Sequence, residues 1–82
     1  MDQPHLARSQ VFVHVDNQPQ DIFDEYNDYF KTVGYIFLNI FKQPGVLSLS
    51  IRTGGPYDHL DLYVTAEPQG GSMVHMDLIY EK

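Results

Sequence analysis

Apolar and polar residues alternate from residue 11 to residue 16, and this alternation predicts the first strand. The alternation sets Val11, Val13 and Val15 against Phe12, His14 and Asp16. A period of two is typical of a half-buried strand, so we expect the valines to face the core. Residues 1–9 are polar, carry Pro4 and show no period, and we expect them to form a flexible N-terminal arm.

The period changes to that of a helix after Gln18, because Pro19 suits the first helical turn. At 100° per residue the apolar side chains gather into one stripe: Ile22, Tyr26, Tyr29, Val33, Ile36, Phe37 and Ile40. Charged and amide side chains occupy the opposite face as far as Lys42, and the Pro-Gly pair that follows Gln43 ends the pattern. The pattern predicts one long amphipathic helix over 19–42.

An alternative ends the helix at Gly34 and makes 35–41 a strand, since these residues have high strand propensity. It produces the strand–helix–four-strand order seen in cystatin-like folds, which is an analogy of topology without a matching motif. We favour the long helix, because the apolar stripe continues in phase across Gly34.

Three further strands follow, over 46–52, 58–66 and 72–80. Their apolar sets are Leu47, Leu49 and Ile51, then Leu60, Leu62 and Val64, and last Val74, Met76, Leu78 and Tyr80. The short Gly- and Pro-containing segments between these strands predict consecutive hairpins. We therefore expect a single α+β domain over 10–82, of order β-α-β-β-β, with the helix packed on one face of a mainly antiparallel sheet.

Composition narrows the range of functions. The 82 residues are 43% hydrophobic, which is enough to form a core, and they include no cysteine, so disulfides and thiol chemistry are excluded. The net charge of −6 and the scattered positions of five Lys and Arg residues argue against direct binding of nucleic acid. No apolar run approaches the roughly 20 residues of a membrane span, and no leader pattern opens the chain, so we expect a cytoplasmic protein without membrane contact.

Three of the four histidines are followed two positions later by an aspartate. These pairs are His14 and Asp16, His59 and Asp61, and His75 and Asp77. Side chains two apart in a strand share a face, so each pair should project together from the face opposite its strand's apolar set. His and Asp are zinc ligands, and these six residues are the candidates for a divalent metal site.

Matching the apolar faces of the last two strands predicts their register. It places Tyr63 opposite His75 and Asp61 opposite Asp77. Two carboxylates directly opposite each other repel, so a cation is expected nearby: a metal, a protonated histidine or Arg52. Beyond this possible metal we expect no cofactor. The chain shows no catalytic elbow or oxyanion hole and is not expected to be an enzyme, although His59, Asp61, His75 and Asp77 would be the acid–base candidates.

Two surfaces are candidates for binding a protein partner. The first is acidic and lies on the first turns of the helix: Asp21, Asp24, Glu25 and Asp28. Anions there are stabilised by the helix dipole, and they can also imitate a phosphate backbone. The second consists of Tyr35 and Leu38, which fall outside the apolar stripe and indicate a homodimer or a partner protein.

These observations favour a small acidic protein-binding module that inhibits or regulates a nucleic-acid-handling enzyme or a defence complex. Such proteins are common products of phages and other mobile elements. Two alternatives stay open at this point: a metal-binding regulator or small enzyme that uses the His-x-Asp pairs, and an immunity protein or antitoxin.

Overall fold

The protein is one helix packed on one face of a five-stranded antiparallel sheet, as seen in a computed structural model that describes residues 6–55 and 57–81. The elements are β1 (Leu6–Val15), α1 (Pro19–Val33), β2 (Ile36–Gln43), β3 (Val46–Arg52), β4 (His59–Ala66) and β5 (Ser72–Glu81). The strand order across the sheet is β1-β5-β4-β3-β2, and every neighbouring pair is antiparallel. The predicted α+β class is confirmed.

The helix ends at Val33, so the long helix predicted over 19–42 is wrong and the alternative with a strand after Gly34 is right. Gly34 adopts a left-handed conformation with φ of 92°, and its N–H donates to the carbonyls of Phe30 and Lys31. The N–H of Tyr35 also donates to the Phe30 carbonyl. A glycine in this conformation terminates a helix without the steric penalty of a side chain, and the next residues pair with β3.

Strand β1 begins at Leu6, so residues 6–9 of the predicted flexible arm belong to the sheet. The pairing runs without a shift from Leu6 opposite Glu81 to Val15 opposite Ser72. The start of β1 could not be predicted from periodicity, because residues 6–10 do not alternate between apolar and polar. Residues 1–5 lie outside the described part of the chain.

The core lies between α1 and the middle of the sheet. Its buried members are Ile22, Phe23, Phe30, Leu47, Leu49, Ile51, Leu62, Val64 and Val74. The apolar sets predicted for β3, β4 and β5 supply most of it. A helix of 15 residues, about 22 Å long, contacts chiefly β3 and β4, which leaves the β1 side of the sheet uncovered.

The valines of β1 therefore differ in burial. Val15 packs against the core, whereas Val11 and Val13 lie on the same face of the sheet but are exposed. The prediction that all three are core residues is wrong for these two. Within residues 6–55 and 57–81, no helix has the length and apolar character that crossing a membrane requires.

Candidate functional site

The sheet face opposite the helix, called the outer face below, carries side chains in rows that cross the strands. Residues directly opposite one another in antiparallel strands share a face. Read from β1 to β2, one row is Gln10, Asp77, Asp61, Ser50 and Asn39, and the next is Phe12, His75, Tyr63, Ser48 and Phe41. The register predicted between β4 and β5, with Asp61 opposite Asp77 and Tyr63 opposite His75, is confirmed.

Arg8 is the cation that balances the two facing carboxylates. Its Nε donates to Oδ1 of Asp77 at 2.8 Å and its Nη2 to Oδ2 at 2.6 Å, the two-pronged geometry in which Arg binds a carboxylate most strongly. These hydrogen bonds, reinforced by the charge of Arg8, hold the pKa of Asp77 below its usual value, although burial acts in the opposite direction. Arg52, one of the predicted candidate cations, stands opposite His59, but it is Arg8 that binds the Asp77 carboxylate.

The carboxylate opposite Asp77, that of Asp61, interacts with two neighbouring side chains. Ser50 Oγ donates to Asp61 Oδ1 at 2.6 Å, and Nε2 of His59 lies 3.9 Å from Oδ2. The side chain of Asp61 is 22% exposed and that of Asp77 is 9% exposed. Both facing carboxylates, Asp77 and Asp61, therefore accept hydrogen bonds from neighbouring side chains.

Three rings stand side by side on the outer face, across β1, β5 and β4. The centroids of Phe12 and His75 are 4.1 Å apart with the ring planes at 11°, and those of His75 and Tyr63 are 5.3 Å apart at 23°. Both faces of the imidazole are thus covered by aromatic neighbours. We call these three residues the aromatic row. Phe12, at its end, is 62% exposed because it lies on an edge strand.

The six predicted metal ligands remain separate couples. They are His14, Asp16, His59, Asp61, His75 and Asp77, and in the described part of the chain no three His, Asp or Glu side chains are positioned to hold one ion. Three of them already have other partners, because Arg8 binds Asp77, Ser50 binds Asp61 and Nε2 of His75 lies 3.4 Å from Nε2 of Gln10. His14 lies at the far end of β1, with Nε2 3.4 Å from Oδ1 of Asp16. The convergence that a metal site needs is not seen in these residues.

The acidic helix face consists of Asp21, Asp24, Glu25 and Asp28, and all four side chains are exposed. The ion pairs of residues 6–55 and 57–81 lie elsewhere and involve none of these carboxylates. Nε2 of Gln20 donates to Oδ1 of Asp24 at 2.8 Å. The opposite side of the helix is fixed to the core, so these charges stand on a rigid support.

The second predicted contact surface is only partly exposed. Tyr35 is half-buried, packs against the core and has its ring centroid 5.9 Å from that of Phe30, so it is not part of the spare apolar surface. Leu38 is exposed at a bulge in β2 between Phe37 and Asn39. Other exposed apolar residues of this edge strand are Ile36, Ile40 and Phe41.

An open groove of about 440 Å³ lies between α1 and the uncovered β1 side of the sheet. Its walls are mostly apolar: Val13, Val15, Ile22, Tyr26, Tyr29, Val74 and Met76, with Asn17 and Glu25 at the sides. The groove was not expected from the sequence, because the helix predicted over 19–42 is long enough to cover more of the sheet.

Comparison of the chain with protein-family models, with curated proteins and with solved structures found no match. The fold and its surfaces define an acidic α+β protein whose two facing outer-face carboxylates are hydrogen-bonded and whose exposed features are a charged helix and two edge strands rich in apolar side chains.

Proposed function

We propose that this chain is a small acidic protein-binding module that inhibits or regulates a nucleic-acid-handling enzyme by placing the acidic helix face in a basic groove of that enzyme. One observation carries the proposal: four exposed carboxylates, none in an ion pair among the described residues, stand on a helix anchored by the buried side chains of Ile22 and Phe23.

The spacing of the carboxylates suits a continuous contact. They fall at positions i, i+3, i+4 and i+7 of the helix, so the row is about 10 Å long, and neighbours three or four apart are about 5–6 Å from each other. Because none of the four carboxylates is in an ion pair among the described residues, their negative field is directed toward solvent. Together with the net charge of −6, it favours association with a basic surface and speeds the encounter.

The fixed geometry of the helix supports the same proposal. Ile22, Phe23 and Phe30 are buried against the sheet, so the carboxylates are already arranged before a partner arrives. A rigid surface loses less conformational entropy on binding than a flexible acidic tail. Exposed apolar side chains on β2 offer further contact area, while the charges of the helix contribute steering.

Inhibitors from phages and other mobile elements fit this description, and so do immunity proteins and antitoxins, which bind an enzyme encoded beside them. A phage inhibitor and an immunity protein would bind their target enzyme through the same kind of contact. The genes next to the gene for this chain would distinguish the two.

The proposal is tested by affinity capture of a partner from host lysate, followed by calorimetry with the purified partner. The test variant carries Asp24→Lys and Asp28→Lys, and the matched control carries Glu67→Lys and Glu81→Lys, which change the net charge equally outside the helix. We expect the test variant to raise Kd about a hundredfold or more, because like charges in an interface cost several kcal/mol. The control should change Kd far less.

Circular dichroism and the thermal midpoint show whether both variants remain folded. Equal loss of affinity in the two variants would mean that only net charge matters, and unchanged affinity in the test variant would place the interface elsewhere. Either result contradicts the proposed role of the acidic helix face.

A further inference from the structure

We infer that β1 is a homodimer interface, in which the β1 strands of two copies pair antiparallel around Phe12 and join their sheets. This inference concerns a different surface from the acidic helix face and does not depend on the proposed partner. Strand β1 is an edge strand of ten residues, and its register with β5 runs without a shift.

The edge formed by β1 has few of the features that keep edge strands apart. Natural edges are protected by charges, prolines or bulges. The segment Leu6–Val15 contains no proline and no acidic residue, and its one Lys or Arg, Arg8, is bound to Asp77. The other edge, β2, is shorter, is interrupted by a bulge and carries Lys42. Because β1 carries no carboxylate, two copies of this chain, each of net charge −6, can meet along β1 without placing acidic side chains of that strand opposite each other.

Both faces of β1 expose apolar side chains that pairing would cover. Phe12 on the outer face is 62% exposed, and Val11 and Val13 on the helix side are 44% and 45% exposed. Phe12 also ends the aromatic row with one ring face directed toward the free edge, since its other side is stacked on His75. A second ring placed beside it would continue the row.

A two-fold axis perpendicular to the sheet keeps the outer faces of the two copies on the same side. This requirement limits which residues of the two β1 strands can stand opposite each other. Centred on Phe12, the pairing sets Phe12 opposite Phe12 of the second copy and Val11 opposite its Val13. It also brings Arg8 level with Asp16 of the second copy. Arg8 is 61% exposed while bound to Asp77, and the side chain of Asp16 is fully exposed, so charge complementarity favours this register.

Other registers lose these matches. The smallest slip that keeps each side chain on its own face is two residues. In one direction it sets Phe12 opposite Gln10 and Arg8 opposite His14. In the other it moves Arg8 past Asp16 to Gln18. The pairing centred on Phe12 is therefore the one that unites both aromatic rows and pairs opposite charges.

The first test is the oligomeric state, measured by sedimentation equilibrium from micromolar to millimolar concentration. Val13→Lys places a charge on the proposed interface, and Ile40→Lys is its matched control on the other edge, since Val13 and Ile40 are 45% and 46% exposed. We expect wild type and Ile40→Lys to sediment at twice the 9.5 kDa chain mass and Val13→Lys as a monomer with an unchanged circular dichroism spectrum. A wild type that stays monomeric throughout, or a dimer lost only in Ile40→Lys, overturns the inference.

The second test reports the register and remains informative if Val13→Lys fails to fold. The chain has no cysteine, so each introduced thiol is unique. Opposite residues have Cα atoms about 4.5–5.5 Å apart, within disulfide reach, so Phe12→Cys should cross-link to itself on oxidation. Gln10→Cys and His14→Cys should each fail alone, because their own copies lie about 13 Å away, and should cross-link when mixed.

Phe41→Cys on β2 is the control for random collision. Cross-linking at Phe41→Cys that matches Phe12→Cys overturns the inference, as does self-linking of Gln10→Cys at the same rate. Capture of a different protein through Phe12→Cys in lysate, with no homodimer formed, overturns it as well and assigns β1 to another partner.

Discussion

Arg8 and Asp77 are 69 residues apart in the chain, and their two hydrogen bonds join β1 to β5 across the outer face. The same guanidinium allows Asp77 to stand opposite Asp61, a like-charge arrangement that would otherwise be destabilising. Ser50 completes the arrangement by donating to Asp61. The positive charge of Arg8 thus offsets the repulsion between the two facing carboxylates.

We expect this pair to make stability depend on pH in the acid range. Hydrogen bonds from Arg8 lower the pKa of Asp77 in the folded protein below the usual value of 3.8. The stabilisation is therefore complete above the unfolded-state pKa and is lost as the pH falls through the folded-state pKa. Asp77→Asn should lower the thermal midpoint at pH 7 and flatten its decline below about pH 4.

Thermal unfolding followed by circular dichroism at a series of pH values checks this. Asp28→Asn controls for the loss of one exposed carboxylate. An Asp77→Asn profile parallel to that of wild type would show that the pair contributes nothing to the acid transition.

Two adjacent glycines should differ in their tolerance of a side chain. Gly70 and Gly71 both have positive φ, of 104° and 76°, so alanine at either should cost roughly 1–2 kcal/mol of unfolding free energy. A Cβ at Gly71 would also lie 2.5 Å from the Val15 carbonyl oxygen, whereas the surroundings described for Gly70 leave it room. We expect Gly71→Ala to exceed Gly70→Ala by at least about 1 kcal/mol in denaturant unfolding. Equal losses would contradict the close approach of the β4–β5 turn to β1.

Two aromatic residues of α1 should differ sharply in how much they contribute to the free energy of unfolding. Phe23 is 1% exposed, so Phe23→Ala should cost about 3–5 kcal/mol, a large part of the stability of a small domain. Tyr29 lies on the groove and is mostly exposed, so Tyr29→Ala should cost less than about 1 kcal/mol. Denaturant midpoints measured for both variants decide whether the helix faces the sheet as described.

Titration with zinc, manganese or nickel should give no stoichiometric heat at neutral pH. The reason is geometric, because Asp77 is bound by Arg8, Asp61 is bound by Ser50, and Nε2 of His75 lies 3.4 Å from Nε2 of Gln10. Asp61→Ala and Asp77→Ala are the controls. A one-to-one heat in wild type that disappears in both would establish the metal site that the histidine–aspartate spacing predicted.

The register of β4 with β5 could be predicted from sequence by matching the apolar faces of the two strands, and the turn between them agrees with it. Gly70 is left-handed in the turn before β5, and the N–H of Glu67 donates to the Gly71 carbonyl, so the pairing of β4 with β5 follows from the turn. Arg8 was missed, since residues 6–10 carry no alternating pattern. Extending the even-numbered outer-face positions of β1 back from Phe12 would have placed Arg8 on the outer face beside β5.

The end of the helix could not be decided from periodicity. Residues 35–41 are almost continuously apolar, and such a run fits a period of 3.6 and a period of two equally well. Gly34 and the strand propensity of the aromatic and β-branched residues were the better guides, because tertiary pairing with β3 rewards a strand at this position. The exposed groove follows from the shorter helix and was therefore not foreseen.

The neighbouring positions of β1 and β5 also determine when the sheet can be completed during synthesis. Leu6 pairs with Glu81, so the first strand made must wait for the last before it has a neighbour. Until then α1 and β2 to β4 can assemble while β1 remains unpaired. Such long-range closure is slow compared with hairpin formation, so the attachment of β1 is expected to be the late step of folding.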